Sequence, residues 1–494
     1  MKMRNPRGIT LVTLVVTIIV LIILAGVSIN MVVGDNGIIT QAQRAAKETA
    51  NATVASEEQI NALIEELNKK LPEDKPDEPT EEEPVFTTVT NPPDIEGFNK
   101  TNTYYVAWNI ESSPYEINNT IPISENPPSN WYDYTEGINH WANIKTTGGG
   151  NDCYWVWIPR YAYKVPTRSS TAQTIEIKFL EGTSNVPIGE TEAITNTTPT
   201  PGTWVVHPAF TNSGNGGFGE IEGIWVAKFE ASSSQVSEAT VTTNLTTTGG
   251  GNTTSLQVRV IPNVTSWRGI TVGNIFTVCR NLTTDGNSVE GATNVDSHMM
   301  KNTEWGACAY LSRSVYGKNG AVWNNPYYNN TTNYSTITGL CGTSQDASTT
   351  DVNHIYKYNT EVGINASTTG NVYGIFDMAG GSWEYVAAVL SSDLSNGSYY
   401  NFSTVDKKYY DVYTGYNNSK YGDSIYETSL EDSGRTSWDG DSSDFPNSDL
   451  GIPVFVRGGS AASGNAAGIF TFRYHTGDAS QQNSFHPCLV NLNK

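Results

Sequence analysis

The sequence predicts an α+β protein with an N-terminal membrane-spanning helix, on three observations. An uncharged apolar run of 25 residues, Ile9 to Val33, follows a basic flank. An acidic, proline-rich stretch at 72–86 then breaks all helical pattern. Beyond it lie short β-branched and aromatic runs separated by Gly/Asn/Thr loops, with two helical patterns among them.

Composition narrows the function classes. The 494 residues hold 29 Lys+Arg against 50 Asp+Glu, a formal charge of −21. Such a surface repels phosphate backbones, so nucleic acid is excluded as an expected partner. Abundant Gly and 11% aromatics suit a loop-rich, strand-rich extracellular fold. The five cysteines (Cys153, Cys279, Cys308, Cys341, Cys488) show no CxxC spacing, which argues against a zinc site. Their odd number leaves at least one free thiol even if a disulfide or two form.

About 20 apolar residues cross a bilayer's hydrocarbon core, so Ile9–Val33 is long enough. The flank "MKMRNPRG" carries Lys2, Arg4 and Arg7 and should remain cytoplasmic, placing the rest outside a single-pass cell membrane anchor. A secretory signal would have a shorter apolar stretch and a small-residue cleavage site, which "AGVS" at 25–28 imitates. After "GDNG" (34–37) apolar residues recur at helical spacing from Ala42 to Leu71, an amphipathic continuation suited to a stalk or a partner helix. In "LPEDKPDEPTEEEPVF" four prolines forbid helix, and seven carboxylates against one lysine keep the segment extended.

The junction "RG-ITL" resembles the prepilin signal of type IV pilins and pilin-like pseudopilins. That resemblance implies a prepilin peptidase cut between Gly8 and Ile9, and pilus or pseudopilus subunits as partners. Many pilins carry glutamate at the fifth mature position; Thr13 stands here, which weakens the expectation of filament assembly. The expected organisation is leader 1–8, pilin-like helix 9–71, linker 72–86 and head 87–494.

In the head, strands are expected in "TYYVAW" (103–108), "CYWVWIPRYAYKV" (153–165), "TWVVHPAF" (203–210) and "GIWVAKFEA" (223–231). Helices are expected within 265–282 and 301–315. Several strings imitate chemistry. Gly214, Gly216 and Gly219 fit GxGxxG, but the stretch joins two strands, with no helix to meet a phosphate. Asp296, Ser297 and His298 have triad residue types, yet neighbours on one strand are not expected to converge. Calcium is the cofactor the carboxylates would suit. Asp439, Asp441 and Asp444 in "SWDGDSSDFPNSD" supply oxygen ligands, without EF-hand spacing.

Five signatures in order carry a second resemblance: "GIWVAKFEAS" (223–232), "IPNVTSWRGITVGNIFTVCRNL" (261–282), "SHMMKNTEWGACAYLSRSVYG" (297–317), "GNVYGIFDMAGGSWEYVAA" (370–388) and "FVRGGS" (455–460). They are similar to the formylglycine-generating-enzyme, or sulfatase-modifying-factor, family. This implies a C-type-lectin-like fold, with the resemblance strongest over 154–490. The family's oxidases hold copper(I) with two cysteines after Arg-Gly-Gly-Ser; here Arg457 through Phe485 contains none. The hallmark asparagine is Gly381, although Glu384 of the family's calcium pattern remains. No catalytic residues are therefore expected, and an oxidase is the weakest alternative.

The segment "VRGGSAASGNAAGIFTFRYHTGDASQQNSFHPCLV" (456–490) resembles the C-terminal variable region of proteins diversified by retroelements. There, fixed glycines and aromatics frame variable ligand contacts on a lectin-like fold. Period-2 alternation puts Phe470 and Phe472 on the framework face. The expected contacts are Ala462, Ser463, Asn465, Ile469, Thr471, Arg473, His475, Thr476, Asp478, Ser480, Gln481 and Asn483. Trp383, Tyr385, Tyr399 and Tyr400 are further candidates for flat contact area, though several suit a core. The expected function is a non-catalytic cell-surface binder of an extracellular protein or glycan. A minor pilin or pseudopilin subunit is the structural alternative.

Overall fold

A computed structural model describes residues 89–235, 252–325, 327–329, 334–336, 338–341, 356–397 and 399–492. The chain divides after Phe86, and all described residues fall in the unit Thr87–Lys494. Gly8, Ile9, the helix expected over 9–71 and the linker expected over 72–86 lie outside the described residues. Among the described residues no helix is long and apolar enough to cross a membrane.

In chain order the principal strands begin with β1 (Thr103–Asn109), β2 (Glu116–Pro122), β3 (Asn143–Gly148) and β4 (Asn151–Pro159). Then come β5 (Tyr161–Lys164), β6 (Ile177–Phe179), β7 (Trp204–Val206) and β8 (Gly223–Ala227). Helix α1 (Val272–Arg280), β9 (Val295–Met299) and helix α2 (Asn302–Ser312) follow. The C-terminal part holds β10 (Trp383–Leu390), β11 (Asp411–Tyr413), β12 (Val454–Arg457), β13 (Phe472–His475), β14 (Asn483–Ser484) and β15 (Pro487–Asn491). The mixed, mainly β architecture agrees with an α+β class.

The larger sheet has seven strands in the order β2-β1-β3-β4-β8-β15-β9. The last strand is thus pinned inside it, with Leu489 opposite Trp225 and Cys488 opposite His298. The smaller sheet runs β11-β10-β12-β13, with β14 added beside β10. A three-stranded sheet, β6-β5-β7, completes the principal set. The run "CYWVWIPRYAYKV" therefore divides at Arg160 into strands of two sheets. Arg160 is fully buried and donates to the carbonyls of Ser184 and Phe210 and to Glu220.

Both expected helices form and are shorter than the patterns suggested. Thr271 caps α1, its hydroxyl accepting from the Asn274 N–H at 3.4 Å. All of α2 is buried, and it packs on β4 of one sheet and β10 of the other. A helix apolar around its circumference is what a central position requires. At its N-terminus the Glu304 carboxylate accepts the Lys301 N–H at 2.9 Å. The core is rich in tryptophan, with Trp108, Trp141, Trp155, Trp157, Trp225, Trp267 and Trp305 buried.

Candidate functional site

The C-terminal segment is built on Arg457. Its guanidinium is fully buried and donates to the Thr471 carbonyl (2.9 Å), the Asp423 carbonyl (3.0 Å), Asn302 Oδ1 (3.2 Å) and Ser424 Oγ (2.7 Å). It also lies over the Trp305 ring. Arg457 thus joins β12, the start of α2, the 423–424 loop and the approach to β13. Gly458 and Gly459 follow at φ +79° and +76°. A Cβ on Gly459 would stand 2.5 Å from that of Ala467, so the Arg-Gly-Gly-Ser turn needs glycine.

The Asp377–Glu384 motif is equally structural. Asp377, buried at φ +69°, accepts from the Gly339 N–H (2.7 Å), Asn325 Nδ2 (2.7 Å) and the Glu230 N–H (3.2 Å). Glu230 Oε1 accepts the Ser382 N–H at 2.7 Å and fills the notch beside Gly381, where a Cβ would stand 2.7 Å from it. Glycine at 381 therefore has a steric reason. Glu384 pairs with His486, both buried. Burial, then repulsion from Asp377, raises the Glu384 pKa, while burial lowers that of His486 to about 4, so both are driven toward neutral forms.

The expected contact set divides. Ser463, Asn465, Arg473, His475, Thr476, Asp478, Ser480 and Gln481 are exposed or half-buried. Ile469, Thr471 and Asn483 are buried, which corrects the exposure expected of them. Alternation failed at 469–471 because β13 begins only at Phe472. The chain before it turns, with the Thr471 N–H donating to the Gly468 carbonyl and its hydroxyl to the Ala466 carbonyl. Asn483 is buried because β14 adds in parallel to β10, with Asn483 opposite Trp383. The framework face holds as expected: Phe470, Phe472 and Phe485 are fully buried. The side chain of Ala462 is outside the described structure.

Arg473, His475, Thr476 and Asn483 line one groove of about 270 Å³, with Trp383, Tyr474 and Gln482 and the apolar Ile452 and Val456. Sequence reasoning missed Ile452, Val456, Tyr474 and Gln482; Val456 enters because β12 pairs with β13 and sets it opposite Arg473. Arg473 projects from β13, stacked over Trp383 and Tyr474 at 5.9 and 5.3 Å from the ring centroids. His475 Nδ1 lies 2.6 Å from the Tyr385 hydroxyl, and burial lowers the His475 pKa, leaving Arg473 as the cation of the groove. Tyr385 and Tyr400 are core residues rather than contacts, and Tyr399 is half-buried.

The proposed calcium ligands do not converge. Asp439 faces the Arg313 guanidinium at 3.3 Å, Asp441 is buried and accepts the Phe470 N–H at 2.9 Å, and Asp444 accepts the Gly434 N–H at 3.2 Å. Glu384 is committed to His486. Among the described residues no group of three His, Cys, Asp or Glu side chains is arranged to hold a metal ion.

The decoy strings resolve separately. The stretch containing Gly214, Gly216 and Gly219 is a turn leading into β8, with no helix after it. Asp296 and His298 do meet, contrary to expectation, because residues two apart share a strand face: Oδ1 and Nδ1 are 3.3 Å apart. Ser297 points the other way and donates to the Arg280 carbonyl, so no triad forms. Cys153, Cys279, Cys308 and Cys488 are buried free thiols, and burial raises each pKa, that of Cys153 to about 12. A larger cleft of about 570 Å³, outside the C-terminal segment, is lined in part by Tyr163, Val205, Pro208 and Tyr421. No protein-family model matches the chain, and no curated protein matches it.

Proposed function

We propose that the protein is a non-catalytic cell-surface binder. On this reading a pilin-like anchor, processed between Gly8 and Ile9, displays a formylglycine-generating-enzyme-like head of C-type-lectin type. The head meets an extracellular ligand through its C-terminal segment. The observation that carries the reading is the groove beside β13, where exposed polar residues stand on a framework closed by Arg457 and the buried phenylalanines. Burial of the four described thiols, with their raised pKa values, supports binding over thiolate chemistry.

The test is binding of the full chain to protein and glycan arrays, compared with a variant carrying Arg473→Ala, Thr476→Ala and Gln482→Ala. The wild type should find a ligand, and the variant should keep its thermal midpoint while losing about tenfold or more in affinity. A ligand bound equally well by both proteins would refute the site.

A further inference from the structure

Two features of the groove point to a particular ligand chemistry. The first is Arg473. Its side chain is 46% exposed, donates no hydrogen bond among the described residues, and has Asp444 3.7 Å from Nε. Held against Trp383 and Tyr474, the guanidinium is pre-oriented while its terminal nitrogens are left for a ligand. The second is Asn483, which lines the groove at 1% exposure; its Nδ2 lies beside the Tyr385 hydroxyl, and among the described residues at least one of its two N–H groups has no acceptor. A buried donor left open is uncommon and calls for an acceptor.

We propose that the groove takes a carboxylate on a short aliphatic stem, the side chain of a glutamate presented by a partner protein, with Arg473 and Asn483 as its donors. This rests on the reading of the C-terminal segment as a recognition face. A guanidinium fork matches a carboxylate in two parallel hydrogen bonds, and an amide N–H adds a third. Ile452, Val456 and Trp383 offer apolar wall to the methylenes. The volume, about 270 Å³, is below the usual range for whole small-molecule sites, about 300–1,000 Å³, and has room for one side chain. The net charge of −21 opposes an acidic partner at long range. At physiological ionic strength that opposition is screened beyond about 8 Å, so the local guanidinium governs the contact.

The experiment is saturation-transfer NMR on the full chain in nanodiscs, with N-acetylglutamate N-methylamide, its glutamine counterpart and glucuronate as probes. The glutamate probe should give transfer to its β and γ methylenes, and the glutamine and glucuronate probes little. Arg473→Gln, an exposed substitution, should weaken the glutamate probe about tenfold or more. Equal transfer from glutamate and glutamine, stronger transfer from glucuronate, or a glutamate signal unchanged in Arg473→Gln would each overturn the proposal. If the array ligand is still lost in the triple variant, only the carboxylate assignment falls and the recognition face stands. If it is not, the face itself falls.

Discussion

Asp423 and Glu427 show how much chemistry the interior hides in single residues. Both are fully buried beneath α2. Asp423 accepts from the Tyr413 hydroxyl, and Glu427 from those of Tyr163 and Tyr310. Burial, reinforced by the charge of Glu427, pushes the Asp423 carboxyl up to about 8, and burial pushes Glu427 up to about 7. In the unfolded chain both would titrate near 4. The folded state therefore retains protons that the unfolded chain has released. Their stabilisation is present below about pH 4 and is lost as pH rises through 7 and 8, at roughly 1.4 kcal/mol per pH unit for each group at the steepest. The thermal midpoint should fall between about pH 4 and 8, and Asp423→Asn should flatten that fall; an unchanged slope in the variant would contradict the assignment. No sequence pattern announces these two acids. They stand in "YGDSIYETS", a string that reads as solvated loop, and only the packing of α2 over it removes the water.

At the scale of elements, the central helix was legible and its tightness was not. The run Asn302–Ser312 contains helix formers, and its apolar positions circle the axis, so helix and burial both follow. Gly306 sits within it, where propensity alone would favour alanine by about 1 kcal/mol. A Cβ there would stand 1.9 Å from the Gly422 carbonyl oxygen, which is backbone and cannot swing aside. Gly306→Ala should therefore destabilise, by about 1–3 kcal/mol or more, as a lower urea midpoint at unchanged m-value. A midpoint equal to or above wild type would show that the helix can move away from the 422–423 loop. Strand β13 teaches the converse lesson. The burial of Phe472 within it, and of Phe470 just before it, was legible, because a framework position needs only an apolar residue. The inward turn of Thr471 was not, since it depends on hydrogen bonds to Ala466 and Arg457 from outside the strand. Asn483 was hidden for a similar reason: β14 is two residues long and exists only by pairing with β10.

On the scale of the whole molecule, the segment proposed for recognition, after Arg457, is also structural. The segment after Arg457 supplies the edge strand β13, crosses to β14, and finishes as β15 inside the seven-stranded sheet. A surface that is to change must then change without disturbing strands of two sheets, which confines freedom to side chains pointing away from both. The structure separates these positions from their neighbours: Ser463, Asn465, Arg473, His475, Thr476, Asp478 and Ser480 on one side, and Gly468, Phe470, Thr471, Phe472 and Asn483 on the other. Gly468 belongs with the fixed set because a Cβ there would stand 2.2 Å from the Asp441 carboxylate oxygens. Sequencing the codons for 460–486 in many descendants of one clone tests this division most directly. The account predicts amino-acid changes gathered at the first group, with the second untouched. Changes spread evenly over both groups would contradict it, and a segment identical in every descendant would remove diversification and leave a fixed binder or minor pilin.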